Sequence, residues 1–426
     1  MNPDAPHVII CGAGFGGLSA IGRLTRAGMR VTLVDANLYA TFQPLLYQVA
    51  TSGLNPGDVA YPAGGFARKY GALFRRGSLA AIDPASRTIK LGDGREMGYD
   101  YLILATGVSA AYYGIKGAAE HTFGLYTRRD AIVLRDHLLA AMDRLSRDSG
   151  DVTVTVVGGG ATGVELAGTL AELSAIVLSA TFPDIDSARV HVRLVEMAPS
   201  LLGPYHEKLR EYTRAQLVAR GVDVKLSTRI AEVTPTRVLL ADGDNLPSDI
   251  TVWAAGVAAP AAAAAWGLPQ GKAGRIVIGP DLRVQGQDRI FAVGDIAANP
   301  DDPMPQLAQP ALQMGRHAAA QILKLEGKTP TETFKYHDKG TMATIGRRSA
   351  VVQLAGGLRL RGTLAWLAWF ALHLLYLLGG RNRLATLINL FYRYLFWGHG
   401  GAVIVGDEPE DQRSPSDAEP VTRGSK

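Results

Sequence analysis

The chain has a single cysteine, Cys11, among 426 residues. A disulfide framework, a CxxC redox pair and a cysteine-ligated iron-sulfur cluster within this chain are excluded, so any redox chemistry must run on a bound organic cofactor. The opening residues, MNPDAPHVII, lack a basic stretch followed by an apolar one, and no secretory signal is expected. Acid is missing as well. From Lys339 to Gly406 there is no Asp or Glu, while Lys339, Arg347, Arg348, Arg359, Arg361, Arg381, Arg383 and Arg393 lie there with three of the five tryptophans. The net charge of +5 could point to nucleic acid, but basic residues mixed with Trp, Tyr and long apolar runs point to an anionic lipid surface. A hydrophobic content of 47% excludes a largely disordered chain, and at about 150 residues per domain the length predicts two or three units.

What is present is organised around two glycine loops. HVIICGAGFGG, from His7 to Gly17, is a short apolar strand running into Gly12, Gly14 and Gly17 at GxGxxG spacing. The first glycine permits the tight turn, the second lets the backbone approach a pyrophosphate, and the third lets the following helix pack on the strand. Leu18 to Arg26 reads as that helix, Gly28 ends it, and the next strand, RVTLV, ends in Asp35. An acid there binds a ribose hydroxyl, unless it merely starts a turn. The pattern recurs in VTVTVVGGGATGVELAG, with Gly158, Gly160 and Gly163, followed by the strand VHVRLV and Glu196. The second acid stands further from its loop than usual, with SATFPDIDS as a plausible insertion. Two loops, each with its own acid, imply two dinucleotides. Met197 and Ala198 follow Glu196 where an Arg could pair a 2′-phosphate, which favours NADH over NADPH, and Asp35 suits an unphosphorylated adenosine such as that of FAD.

Three further apolar strands are expected in DYLILATGV, ending in Thr106 and Gly107, in DITVWAAGV, and in RIFAVGDIA, which places Asp295 at a carboxyl end where ligands of parallel sheets bind. A local N-cap is the alternative for Asp295. NLYATFQPLLYQVATSG, residues 37 to 53, is too irregular for a strand and is interrupted by Pro44; its apolar side chains could cover a planar ring. A helix from about Pro310 puts Gln309 and Gln313 on one face, and its positive end could favour an anionic flavin ring. GTLAWLAWFALHLLYLLGG, residues 362 to 380, has no formal charge with His373 neutral, and by length it is either a membrane span or one of two helices dipping into a leaflet. His373 reads as a satisfied interfacial or core histidine, and residues 407 to 426 as a disordered tail.

These residues resemble the type II NADH:quinone oxidoreductases, single-subunit respiratory NADH dehydrogenases that do not pump protons. The resemblance covers about residues 7 to 400 and rests on GAGFGG, PLLYQVATSG, GGGATGVELAG, WAAGV, FAVGDIA, the AQxAxQ pattern of Ala308, Gln309, Ala311 and Gln313, and HLLYLLGGRNR. It implies an α/β fold of two interleaved Rossmann-type dinucleotide-binding domains, for FAD and NADH, plus a C-terminal membrane-associating helical region. The implied boundaries are 1–110 with 265–330 for FAD, 111–264 for NADH, 331–405 for membrane anchoring and dimerisation, and 406–426 for the tail. Non-covalent FAD would be held by Gly12, Ala13, Gly14, Phe15, Gly16, Gly17, Asp35, Leu79, Thr106, Gly107, Asp295 and Ala308. Glu165, of the GVE motif, would lie near nicotinamide and flavin, although an acid in a first helical turn is an ordinary feature. Pro44, Gln309 and Gln313 would line the quinone site, with Pro310 an unusual residue inside the AQxAxQ motif. The family is monotopic, which favours in-plane helices, and the resemblance implies a homodimer on the cytoplasmic face of a bacterial inner membrane, with no nucleic-acid partner. Protons for the quinone would pass through water, Glu165 and the glutamines. Rival readings are a flavoprotein reductase of a soluble electron carrier and a non-catalytic redox sensor. The single cysteine disfavours disulfide and sulfide:quinone reductases.

Overall fold

The computed structural model describes residues 4–147, 149–174, 184–327 and 329–395. The disordered tail expected after residue 406, Trp397 and most of the SATFPDIDS insertion lie outside the described residues. In chain order, the elements that position the site begin with strand β1 (His7–Cys11), helix α1 (Phe15–Arg26), β2 (Arg30–Asp35), α2 (Leu46–Ala50), β3 (Leu73–Arg76) and β4 (Tyr101–Leu104). They continue with α3 (Arg128–Arg147), β5 (Val152–Val157), α4 (Ala161–Glu172), β6 (Val190–Val195), β7 (Asp223–Lys225) and β8 (Ile250–Trp253). The last are β9 (Ile290–Ala292), α5 (Ala308–Glu326), β10 (Thr341–Gly346), β11 (Ser349–Gln353), β12 (Arg359–Arg361), α6 (Thr363–Tyr376) and α7 (Gly380–Leu395).

Close contacts group the chain into two compact units. The first takes Met1–Thr41, Ala60–Ala111 and Val257–Lys339. Its sheet is parallel throughout, in the order β9-β4-β1-β2-β3. Val8, Ile9 and Ile10 are fully buried in its central strand, as a strand covered on both faces requires. Cys11 is buried beside them and its thiol is pushed up to about 12 by that burial, so it is an inert packing residue. Helix α5 crosses α1 at a point where both chains are glycine. A Cβ on Gly315 would stand 2.0 Å from the Gly16 carbonyl oxygen.

The second unit takes Phe42–Val59, Tyr112–Gly256 and the stretch from Gly340. Its parallel sheet, β7-β6-β5-β8, branches from its first strand as the other one does. Residues 42–59, expected with the FAD-binding domain, cluster here because α2 packs against α3 and α4. Residues 340–395 are likewise not a separate appendage. The antiparallel hairpin β10-β11-β12 lies on α4, and α6 lies on β11, burying Ala350, Val352 and Ala365 in one cluster. Residues 331–339 go with the first unit, where Phe334 N–H donates to the Pro280 carbonyl at 2.7 Å.

Three expected strands are shorter than their apolar runs. The first stops at Leu104 and leaves Thr106 and Gly107 in the loop, where Gly107 has φ +70°. The second runs only from Ile250 to Trp253. The third stops at Ala292 because Gly294, at φ +71°, turns the chain into the short 3-10 helix Gly294–Ile296. Asp295 therefore sits in a turn past the strand rather than at its end. Helix α5 starts at Ala308, two residues before Pro310, so the proline occupies the first turn, where a missing N–H costs nothing.

The uncharged run from 362 to 380 is also divided. Leu377 adopts an extended conformation and Gly379 has φ +86°, so α6 ends at Tyr376. At 14 residues, α6 is about 21 Å long, against a hydrocarbon core of about 30 Å. Among the described residues, no helix is long and apolar enough to cross a membrane. The break is closed by Arg383, which donates to the carbonyls of Leu377 and Leu375 at 2.7 and 2.8 Å, a cation on the exposed end of a helix.

Candidate functional site

In the first unit, α1 begins without a side-chain cap. Its N-cap is Gly14, where Ser, Thr or Asp would normally satisfy the free N–H groups, and a Cβ on Gly14 would meet no atom within 4 Å. The helix end is thus open for an anion. Around it, glycine is enforced by contact: a Cβ on Gly12 would stand 2.1 Å from the Ala105 carbonyl oxygen, and one on Gly17 1.9 Å from that of Gly12. Thr106 Oγ1 is buried with no hydrogen-bond partner among the described residues, a vacancy suited to a ligand oxygen. Open backbone donors, a tight glycine turn and an orphaned hydroxyl fit the diphosphate end of FAD.

Asp35 does two things at once. One carboxylate oxygen accepts from Ala13 N at 2.7 Å and the other from Asn37 N at 2.7 Å, so the acid braces the glycine loop and starts a turn. Burial raises its pKa, against the hydrogen bonds from Ala13 and Asn37. Its remaining lone pairs are what a ribose would use. The second unit repeats this bond for bond. Glu196 accepts from Gly159 N and, through its other oxygen, from Ala198 N at 2.7 Å. Gly160 caps α4 with no side-chain bond and nothing within 4 Å of a Cβ, and a Cβ on Gly163 would stand 1.8 Å from the Gly158 carbonyl oxygen. The bracing role of both acids was invisible in their spacing. Glu196→Ala removes a loop brace together with a ribose acceptor. A loss of NADH affinity of roughly tenfold or more is expected, with FAD content unchanged, in a titration of flavin bleaching; equal affinities would place ribose recognition elsewhere.

Glu165 is not a dipole-stabilised acid of a first turn. It lies inside α4, 8% exposed, and burial pushes its carboxyl up to about 8. It accepts from Thr344 N in β10 at 3.2 Å. That approach requires Gly168, one turn on, where a Cβ would stand 2.0 Å from the Ile345 carbonyl oxygen. Trp369 of α6 also lies beside the carboxyl, and the Glu165 charge contributes to raising the Tyr205 hydroxyl's pKa. A neutral carboxyl at pH 7 can carry a proton, which an exposed glutamate cannot.

The other candidates divide between the units. In the first, Leu79 is buried, and Asp295 is held through its carbonyl by Arg275 Nε at 2.7 Å, an anchor the sequence reading missed. Ala308 and Gln309 open α5, which also lacks a side-chain cap. Gln313 clamps the backbone of His337, donating to its carbonyl and accepting from its N–H, both at 3.0 Å, so only one amide hydrogen is left for a ligand. In the second, Pro44 starts the 3-10 turn Gln43–Leu45 that leads into α2. Among the described residues, no cluster of His, Cys, Asp and Glu could hold a metal.

The family described as pyridine nucleotide-disulphide oxidoreductase matches residues 6–315. The chain is 35% identical over 427 aligned residues to a type II NADH:quinone oxidoreductase of Mycobacterium tuberculosis, covering 95% of this chain and 92% of the relative. It is 30% identical to the enzyme of that name from Haemophilus influenzae, covering 86% and 92%. Among solved structures it is similar to NDH2 of Plasmodium falciparum in complex with NADH, with a TM-score of 0.85, 18% identity and coverage of 93% and 99%, a likeness of fold.

Proposed function

Because the chain belongs to the type II NADH:quinone oxidoreductases of the pyridine nucleotide-disulphide oxidoreductase family, we propose that it is a respiratory NADH dehydrogenase that reduces a membrane quinone without pumping protons. The observation that carries this reading is the pair of open, acid-braced glycine loops, one in each unit, with a protonatable Glu165 on the helix of the second. FAD, when bound, accepts a hydride from NADH and passes two electrons to the quinone.

The chain's own residues supply binding, alignment and protons. Gly12 to Gly17 seat one diphosphate at the end of α1, and Asp35 takes the adenosine ribose hydroxyls. Gly158 to Gly163 and Glu196 do the same for NADH. Leu79, Thr106, Gly107, Asp295 and Ala308 complete the flavin's seat. Glu165 holds a proton on a carboxyl oxygen at neutral pH for delivery to a quinone oxygen, and in the first unit Gln309 and the free amide hydrogen of Gln313 are the polar groups offered to a quinone.

Membrane attachment is part of the same reading. Leu364, Leu367 and Leu375 on α6, and Leu384, Leu387, Ile388, Phe391 and Tyr392 on α7, are exposed at helical spacing, with Arg348, Arg359 and Arg381 exposed in the same acid-free region. These faces suit in-plane contact with an anionic lipid surface on the cytoplasmic side, as a homodimer. Leu367→Glu, Ile388→Glu and Phe391→Glu combined change only exposed positions. They are expected to weaken binding to anionic vesicles by at least about 100-fold, since each buried apolar side chain contributes about 1.5–3 kcal/mol, while turnover with a water-soluble quinone persists. Unchanged co-sedimentation with vesicles would refute the assignment of these faces. The function itself is tested by the spectrum of the purified protein. A yellow protein, bleached by NADH without oxygen and recoloured by quinone through many turnovers, is expected; a single turnover would leave a sensor.

A further inference from the structure

Glu165 has β10, α6 and the loop carrying Tyr205 around it. Thr344 N–H of β10 donates to it at 3.2 Å. Tyr205 stands near it with its hydroxyl committed to Thr341 Oγ1, 2.9 Å away. Trp369 of α6, 2% exposed, lies with its indole N–H beside the carboxyl, where as a donor it favours the ionised form, yet it falls short of full hydrogen-bond geometry and has no other acceptor among the described residues. No lysine, arginine or histidine acts on the carboxyl among the described residues.

The indole is held from other sides. His373 stacks on it, with ring centroids 4.0 Å apart and planes 23° from parallel, and donates from Nδ1 to the Trp369 carbonyl at 2.7 Å. The ring of Tyr47 tilts against it at 6.2 Å. A buried N–H without an acceptor is rare enough to need a reason. The Glu165 carboxyl beside it carries its proton at neutral pH, and the N–H bonds it fully once that proton leaves.

We propose that Trp369 is the positioning residue for Glu165, its indole N–H closing onto the carboxylate each time the carboxyl gives up its proton and relaxing when the proton returns. In the step, the Glu165 O–H bond breaks, its electron pair stays on the carboxylate oxygen, and the proton goes to the quinone oxygen. Trp369 keeps its own hydrogen throughout. The choice of donor is chemically sensible. An arginine or lysine would keep the carboxyl ionised at all working pH values, and an apolar wall would make release of the proton uphill. A neutral donor at the edge of bonding distance lies between these extremes. The inference rests on the reading of Glu165 as the proton carrier, and the test separates the two.

The full-length, flavin-loaded protein, labelled with 15N in its indoles, is titrated from neutral to alkaline pH by NMR. One Trp N–H signal is expected to shift with a midpoint near 8, the value to which burial pushes Glu165, and to stand still in Glu165→Gln. In Trp369→Phe, which keeps a ring for His373 to stack on, that signal is lost. The infrared carboxyl band of Glu165 should then titrate with a roughly tenfold smaller dissociation constant, about one hydrogen bond to a charged group. If no indole signal follows Glu165 in the wild type, or if Trp369→Phe only lowers the melting temperature and leaves the carboxyl midpoint in place, Trp369 is packing and the proposal falls. Should Trp369→Phe fail to fold, the wild-type titration decides alone. Wild-type quinone turnover in Glu165→Gln would instead sink the proton-carrier reading, whatever the indole does.

Discussion

Gly163→Ala is expected to eliminate NADH binding, lowering affinity by more than about 100-fold, since a clash of this depth forces backbone to move by more than a rotamer change can absorb. The added carbon would sit 1.8 Å from the Gly158 carbonyl oxygen, on backbone at both ends of the loop, so α4 must lift from the sheet. The flavin spectrum survives, because the other loop lies in the first unit. Gly17→Ala, with its carbon 1.9 Å from the Gly12 carbonyl, gives the converse: a colourless protein. Gly160→Ala is the informative companion. Its φ of −71° suits any residue and its carbon meets nothing within 4 Å, so the fold holds and only the approach of the diphosphate is obstructed. NADH titration together with thermal melting distinguishes these cases. A Gly163→Ala protein that still bleaches at wild-type NADH concentrations would show that the loop does not seat the dinucleotide.

Glu165→Gln is expected to lower quinone turnover by about 10²–10⁴-fold, the usual contribution of a positioned proton donor, with bleaching by NADH unaffected. Wild-type turnover should fall as pH rises through about 8, where the carboxyl loses its proton, and the variant should lack that limb. Stability carries a second signature. The folded carboxyl titrates above its ordinary value, so the native state keeps a proton that the unfolded chain has already released. The stability it contributes is fully present below 4.5, declines as pH rises, and is gone above about 8. Glutamine has no such dependence. The unfolding free energies of the two proteins should therefore diverge in favour of the variant across that window, by on the order of a few kcal/mol, and their melting temperatures with them. Parallel melting curves would mean that the carboxyl is ionised in the folded protein.

The sequence made the two loops legible because a GxGxxG turn is local: its strand, glycines, helix and acid all fall within one stretch, and repetition removed the ambiguity of each copy. Partners brought in from far along the chain were not legible. Thr344 and Trp369, which enclose Glu165, follow it by about 180 and 200 residues, and no periodicity connects them. Gly315 and Gly168 carry no local signal, yet each marks a place where a distant segment of the same chain crosses within van der Waals contact. The apolar runs overstated their strands for a related reason. Residues after Leu104 and Ala292 are buried because they pack against the first glycine loop and the start of its helix, and burial selects the same side chains there as in a sheet. The uncharged run around His373 was ambiguous for want of its punctuation, which is the turn at Leu377 and Gly379.

That run has a consequence for the membrane contact proposed for it. Burial under Trp369 brings His373 down to about 4, so its ring is uncharged throughout the pH range in which cells respire. The surrounding stretch from Lys339 to Gly406 contains no carboxylate. Its one other histidine, His399, lies outside the described residues, so between 339 and 395 no second imidazole joins His373. On the proposed reading, ionic strength and the density of anionic lipid govern how this face meets a bilayer, and the protonation of His373 does not.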